Sequence, residues 1–236
     1  MESKGQFPKH RFVFLTLPNY SMIALSSAVE ALRMANRVTK QDVYEWSLAS
    51  LDGNPVAASN GLTLSPTIPV DKMGPANIVF VCGGVNVEQA VTSELLSALR
   101  RLAQRHVSLG SLCTGGYALA KAGLLDKYKA VIHWENMSAL QEEFPRVIFS
   151  DQLFAIDRDR FTCTGGIAPL DLMLNIIKDH LGRDIAPMIS EQFILDRIRN
   201  DQDRQHIPLQ ARVGLFHENL IEAAALMEAN IEEPLS

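Results

Sequence analysis

The chain has few cysteines: Cys82, Cys113 and Cys163 lie far apart, in no CxxC or Cys/His ligand spacing. That excludes a disulfide framework and a structural zinc site, and it points to a reducing compartment. Neither a metal nor a cofactor is expected. No apolar run is long enough to span a bilayer, so no membrane partner is expected. The opening MESKGQFPKHRF carries no apolar h-region, which argues against a secretory signal and for a cytoplasmic protein. Excess positive charge is also missing: the net charge is −5, so the polypeptide has no global attraction for nucleic acid. After Arg212 there is no Lys or Arg at all, while Glu218, Glu222, Glu228, Glu232 and Glu233 follow. This stretch does not grip DNA.

What is present is a chain of 236 residues, 47% hydrophobic and 21% charged, long enough to bury a core without covalent or metal support. Short apolar runs alternate with segments of helical period, the pattern of an α/β protein with a doubly wound, mostly parallel sheet flanked by helices. Strands are predicted at Phe12–Leu17, Trp46–Leu51, Ile78–Val81, Val107–Leu112, Ala130–His133 and Phe161–Thr164, with Val147–Phe149 and Leu153–Ile156 as an antiparallel pair. Helices are predicted at Ser21–Val38, Val87–Gln104, Thr114–Ala122, Glu135–Phe144 and Leu170–Leu181, each repeating apolar residues at i, i+3, i+4 and i+7. Asp52-Gly53 and Asn60-Gly61 mark turns bounding a hairpin-like excursion.

The most polar stretch, Arg197–Gln205, precedes Ile207–Gly214, where Pro208 and Gly214 interrupt any helix. A domain is expected to occupy residues 1–206, with a linker and one helix at 207–236. Leu215, Leu220, Ala223, Ala224, Met227 and Ile231 would lay an apolar stripe on that helix, too short to form a domain alone. Pro234 then ends it, and Ser236 looks like an N-cap with nothing after it, so a second domain is expected to follow.

The segment HVSLGSLCTGGYALAKAGLL carries the most chemistry. An apolar strand runs directly into Cys113 and a helix starts directly after it, the layout of a nucleophile elbow, with small residues Ser111 and Gly115 two positions to either side. A thiol there sits at a helix N-terminus, where backbone amides favour a thiolate; a buried, inert cysteine at a strand end fits the same spacing. His133 ends the next predicted strand and would reach the same sheet edge as a base. Glu135 is expected to be turned away by the helix start. Gly83 and Gly84 come directly after a strand and could offer free backbone N–H groups, or simply make a tight turn. Thr164, ahead of Gly165 and Gly166, ends the last strand in the same way. Asn19, Tyr20, Gly83, Gly84, Cys113, Thr114, His133, Trp134 and Thr164 are the candidate ligand-binding residues, with Tyr20 and Trp134 as aromatic walls suited to a cationic amine. Glu30 could supply a counter-charge.

These residues together resemble a known family. The strand–Cys–helix elbow with CGG upstream and HW and TGG downstream resembles the class I glutamine amidotransferase-like, or ThiJ/PfpI, superfamily, a flavodoxin-like fold, over about residues 10–200. More closely, LPNYSMIALSSAVEALRMANRV, SLDGNPVAASNGL, CTGGYALAKAGLLD, HW and ALMEANIEEPLS resemble the GlxA-type members of the AraC transcriptional regulators. The resemblance implies a domain sensing a small nitrogenous metabolite, such as arginine, glycine betaine or carnitine, and a homodimer. It also implies an AraC-type domain of two helix-turn-helix units, of which ALMEANIEEPLS would be only the opening; DNA would be met through that domain alone. The departures bear on catalysis. Enzymes of the superfamily carry an acidic residue early in the first helix, where Ala24 or a neighbour stands here. The protease-like members have His directly after the Cys, where this chain has Thr114, and glutaminases place an H-x-E later than His133-Trp134-Glu135. A non-catalytic sensor is therefore expected; the alternative is a cysteine-dependent hydrolase or hydratase using Cys113 and His133.

Overall fold

The structure, a computed structural model, describes residues 7–205 and 226–227. The chain divides into two compact units, Met1–Arg204 and Gln205–Ser236. The linker and tail helix expected at 207–236 lie outside the described residues, apart from Leu226 and Met227, which are helical.

Nine strands are found among the described residues: β1 His10–Thr16, β2 Tyr44–Ser50, β3 Thr67–Pro69, β4 Ile78–Cys82, β5 Ser108–Leu112, β6 Lys129–Ala130, β7 Ile148–Phe149, β8 Phe154–Asp157 and β9 Arg160–Cys163. Seven of them form one sheet in the order β3-β2-β1-β4-β5-β9-β8, parallel throughout except for the β8–β9 hairpin. The helices are α1 Met22–Thr39, α2 Val87–Ala90, α3 Ser93–Gln104, α4 Gly116–Lys121, α5 Trp134–Glu143, α6 Ala168–Leu181 and α7 Ile185–Gln192. The expected doubly wound, flavodoxin-like sheet is therefore present.

Strand alternation explains the layers. Phe12, Phe14 and Phe80 point to one face and meet Ala28, Leu32, Leu172 and Ile176 of α1 and α6. Val13, Leu15, Val79 and Val81 point to the other and meet Leu95, Leu99 and Leu119 of α3 and α4. Each strand of the centre is thus buried on both faces, as parallel sheets require.

Several expected elements are corrected. Ala130–His133 is not a strand of the main sheet: Lys129–Ala130 pairs in parallel with Ile148–Phe149 in a separate two-stranded ladder, and β5 has β9 as its neighbour instead. Val131 and Ile132 are fully buried, yet the Val131 amide donates to the Thr162 side-chain hydroxyl of β9 at 2.9 Å rather than to a strand carbonyl. A buried apolar run reads the same whether or not it joins a ladder. The antiparallel partner of β8 is consequently β9, not Val147–Phe149. The single helix expected at Val87–Gln104 is two, because Val91 is extended and Thr92 caps a fresh start, its hydroxyl accepting the Leu95 amide at 3.3 Å. Strand β3 and helix α7 were not expected.

The polar stretch Arg197–Gln205, read as the run-up to a linker, is tied to the domain up to Arg204. The Leu153 amide donates to the Asp203 carbonyl at 3.0 Å, Gln152 bridges to Arg204, and Arg197 grips Asp203 through both terminal nitrogens. Its charges answer one another across a loop that straps the β8 side of the sheet.

Candidate ligand crevice

The sheet register brings three chain turns to one edge. Thr16 of β1 is level with Cys82 of β4, and Cys82 with Leu112 of β5. The turns at the ends of these strands, Asn19-Tyr20, Gly83-Gly84 and Cys113-Thr114, therefore emerge side by side at the carboxyl edge, where open α/β sheets bind ligands. Glycine is required there by contact rather than by dihedral. A Cβ on Gly84 would lie 2.0 Å from the Asn19 carbonyl oxygen, one on Gly83 2.4 Å from the Gly115 nitrogen, and one on Gly115 2.1 Å from the Val81 carbonyl oxygen. Thr114 fastens the same turns, its hydroxyl donating to the Gly84 carbonyl at 2.7 Å.

Cys113 sits at φ +58°, the left-handed conformation of an elbow, between β5 and a 3₁₀ turn that leads into α4. Its own amide donates to the Thr164 carbonyl at 3.3 Å, joining the end of β9 to the elbow. The residue is only 9% exposed. Burial pushes the thiol up to about 11, against the Thr114 amide that favours the thiolate, and the Glu135 carboxylate adds to the rise. A thiol shifted in that direction stays protonated at pH 7. Cys82 and Cys163 are also buried, with thiols raised by burial.

His133 reaches this site although it does not end a sheet strand. A Cβ on Gly165 would lie 3.1 Å from Cys113 Sγ and 2.8 Å from His133 Cδ2, so the glycine of the TGG turn is the spacer between them. Burial lowers the His133 pKa, with Glu135 opposing, so the imidazole is neutral at pH 7. Glu135 is not turned away as expected: its Oε2 lies 3.7 Å from His133 Nδ1, and its side chain is 64% exposed. Trp134 packs at a tilt beside the His133 ring, with centroids 5.6 Å apart. The start of α5 thus sets a carboxylate and an indole beside the His133 imidazole, and the TGG turn lies between that imidazole and the thiol.

The other candidates divide. Asn19 is exposed and left-handed, with its carbonyl accepting the Val85 amide at 3.1 Å. Thr164 is buried and frames the elbow through its carbonyl. Tyr20 is 1% exposed and packed in the core, not open as an aromatic wall. The Gly83 amide is not free either, since it donates to the Leu112 carbonyl at 3.2 Å. Glu30 is committed to Arg33 three residues on, with Arg33 Nε 2.8 Å from its Oε2. Ala24, where an enzyme's acid was sought, is buried on α1. Among the described residues no three His, Cys, Asp or Glu side chains cluster to hold a metal, and no helix is long and apolar enough to cross a membrane.

Residues 10–179 match the model of the DJ-1/PfpI family. The HTH-type transcriptional regulator GbdR of Pseudomonas aeruginosa is 49% identical over 222 residues, 94% of this chain and 60% of GbdR. The regulator GlxA of Rhizobium meliloti is 34% identical over 226 residues, 95% of this chain and 70% of GlxA. The chain belongs to the DJ-1/PfpI family, and it is similar to the GlxA-type transcriptional regulators. A solved AraC family transcriptional regulator from Pseudomonas putida superposes with a TM-score of 0.72 at 29% identity, covering 78% of this chain and 99% of that one. An enzyme is also among the relatives: the isonitrile hydratase of Pseudomonas putida is 27% identical over 180 residues, 76% of this chain and 75% of the hydratase. The chain spans about 60% of the length of GbdR.

Two features of this family member were not legible beforehand. Gly165 is the contact between Cys113 and His133, and only its place in a TGG turn hinted at it. Asp171 and Arg199 form the most buried ion pair described, with side chains 5% and 28% exposed; Arg199 lay in the stretch read as a run-up to a linker.

Proposed function

We propose that residues 1–206 form the effector-sensing domain of a cytoplasmic transcriptional regulator, with the crevice over Cys113 taking a small nitrogenous metabolite, an amino acid or a quaternary amine. The observation that carries this reading is the burial of the Cys113 thiol. A nucleophilic cysteine needs a lowered pKa or a charged partner, whereas burial holds Cys113 protonated beside a neutral imidazole. The exposed Glu135 carboxylate and the Trp134 face beside it are the groups a cationic nitrogen would use. Binding here would act on the DNA-binding domain that GlxA-type resemblance implies beyond residue 206, and the regulator would work as a homodimer. The test is a thermal-shift screen against amino acids, betaines, carnitine and polyamines, with NMR following each compound for conversion. A saturable shift without conversion, retained in Cys113→Ala and weakened in Glu135→Gln, is expected. A ligand at 100 times its Kd adds about 2.7 kcal/mol.

The left-handed backbone at Cys113 favours one second reading, a cysteine-dependent hydrolase or hydratase with His133 as proton carrier. Conversion of a screened compound that disappears in Cys113→Ala would establish it and overturn the sensor.

A further inference from the structure

A cleft of about 400 Å³, with Cys113 not among its lining residues, lies between the start of α6 and the chain just beyond α7. Its size is that of a small-molecule pocket. Its polar groups are unevenly committed. Buried Asp171 accepts three hydrogen bonds from Arg199, from the backbone amide at 2.9 Å, Nε at 2.9 Å and Nη2 at 2.6 Å. Those contacts leave Arg199 Nη1 without a partner among the described residues. Asp196, exposed at the same cleft, makes no hydrogen bond or ion pair among them. One donor edge and one free carboxylate therefore share the cleft.

The cleft is also lined by exposed apolar side chains, one of them on strained backbone. Ile167 is 49% exposed and Ile194 is 91% exposed. Ile194 has φ +55°. It comes after the C-cap of α7 where the Leu195 amide returns to the Ser190 carbonyl at 3.1 Å, the position of a Schellman turn that glycine fills without strain. A β-branched residue there is both conformationally unfavourable and left in water, so local folding does not account for it.

We propose that this cleft is a second ligand site, for the zwitterion of an α-amino acid with an apolar side chain. The carboxylate pairs with the open edge of Arg199, the ammonium with Asp196, and the side chain covers Ile167 and Ile194. The site is separate from the crevice over Cys113 and stands or falls independently of it.

The experiment is an NMR titration of the 236-residue chain with L-leucine. Leucinamide, which lacks the carboxylate, and isocaproate, which lacks the ammonium, serve as probes of the two charged contacts. Saturable shifts at residues 165–171 and 194–199 are expected. They should weaken about tenfold or more for each analogue, for Asp196→Asn and for Ile194→Gly, and stay unchanged in Cys113→Ala. Ile194→Gly relieves the left-handed strain, so its thermal midpoint rises and lost binding cannot be put down to unfolding. No saturation at millimolar leucine overturns the site. So does binding that Ile194→Gly leaves intact and Cys113→Ala abolishes, which would place leucine in the other crevice, or binding of either analogue as tight as that of leucine itself.

Discussion

The crevice edge and the strap at Arg197–Arg204 hold loops against the same sheet by opposite means. At the crevice, three turns touch backbone to backbone through Gly83, Gly84 and Gly115, with the Thr114 hydroxyl as the added side-chain clasp. At the strap, side-chain charges do the holding: Asp171 with Arg199, Asp203 with Arg197, and Asp151 with Arg204. Close backbone packing is indifferent to salt and has no room for a methyl group. Ion pairs admit many side chains, but their strength depends on burial and screening.

The largest effect should come from Gly115→Ala, whose methyl would press into the Val81 carbonyl. About 3 kcal/mol or more of destabilisation is expected in urea unfolding, with little change between low and high salt. Asp171→Ala is next, leaving the Arg199 guanidinium without its carboxylate; a loss of about 3 kcal/mol is expected, of the size found on breaking a buried pair. An equal response of the two losses to salt would erase the distinction between the regions.

A third cluster, away from both, sharpens the comparison through pH. His180 accepts or donates at Nδ1 to the buried Tyr44 hydroxyl at 3.2 Å and stacks on His10 with centroids 3.9 Å apart. Burial and the neighbouring His10 lower the His180 pKa to about 4, with Asp179 opposing. The folded state therefore binds fewer protons than the unfolded one between pH 6.5 and 4. Its contribution is intact above about pH 6.5 and is lost as the pH falls toward 4. Chemical denaturation across that window should show the loss, and His180→Phe should flatten it.

The smallest effects are at exposed positions in the strap and just before it. Ile194→Gly should raise stability by about 1 kcal/mol in thermal unfolding, because glycine accepts the left-handed turn. Arg197→Ala should cost least of all, and less still at high salt, since that pair is open to solvent.

Much of the architecture could be read directly from residue order. Runs such as Phe12–Leu15 and Ile78–Val81 are apolar at every position and short, which fits strands covered on both faces, and Met22–Thr39 keeps its buried alanines and leucines on one stripe. The elbow at Cys113 was legible for the same reason, since a strand meeting a helix across one residue leaves that residue few conformations. By contrast, Val131 and Ile132 are as apolar as any strand yet belong to none, and Tyr20 stands next to the crevice in sequence while lying buried in the core.

The order of residues by itself determined that this chain builds a doubly wound sheet with Cys113 at its carboxyl edge, because hydrophobic period and small-residue spacing are local properties. Only the tertiary structure decided that Gly165 brings His133 to the thiol, that Glu135 faces that imidazole, and that Asp171 buries its charge against Arg199. Those outcomes depend on which distant groups find each other once water is excluded. Polar residues are interchangeable in composition, and burial alone sorts the partnered from the free.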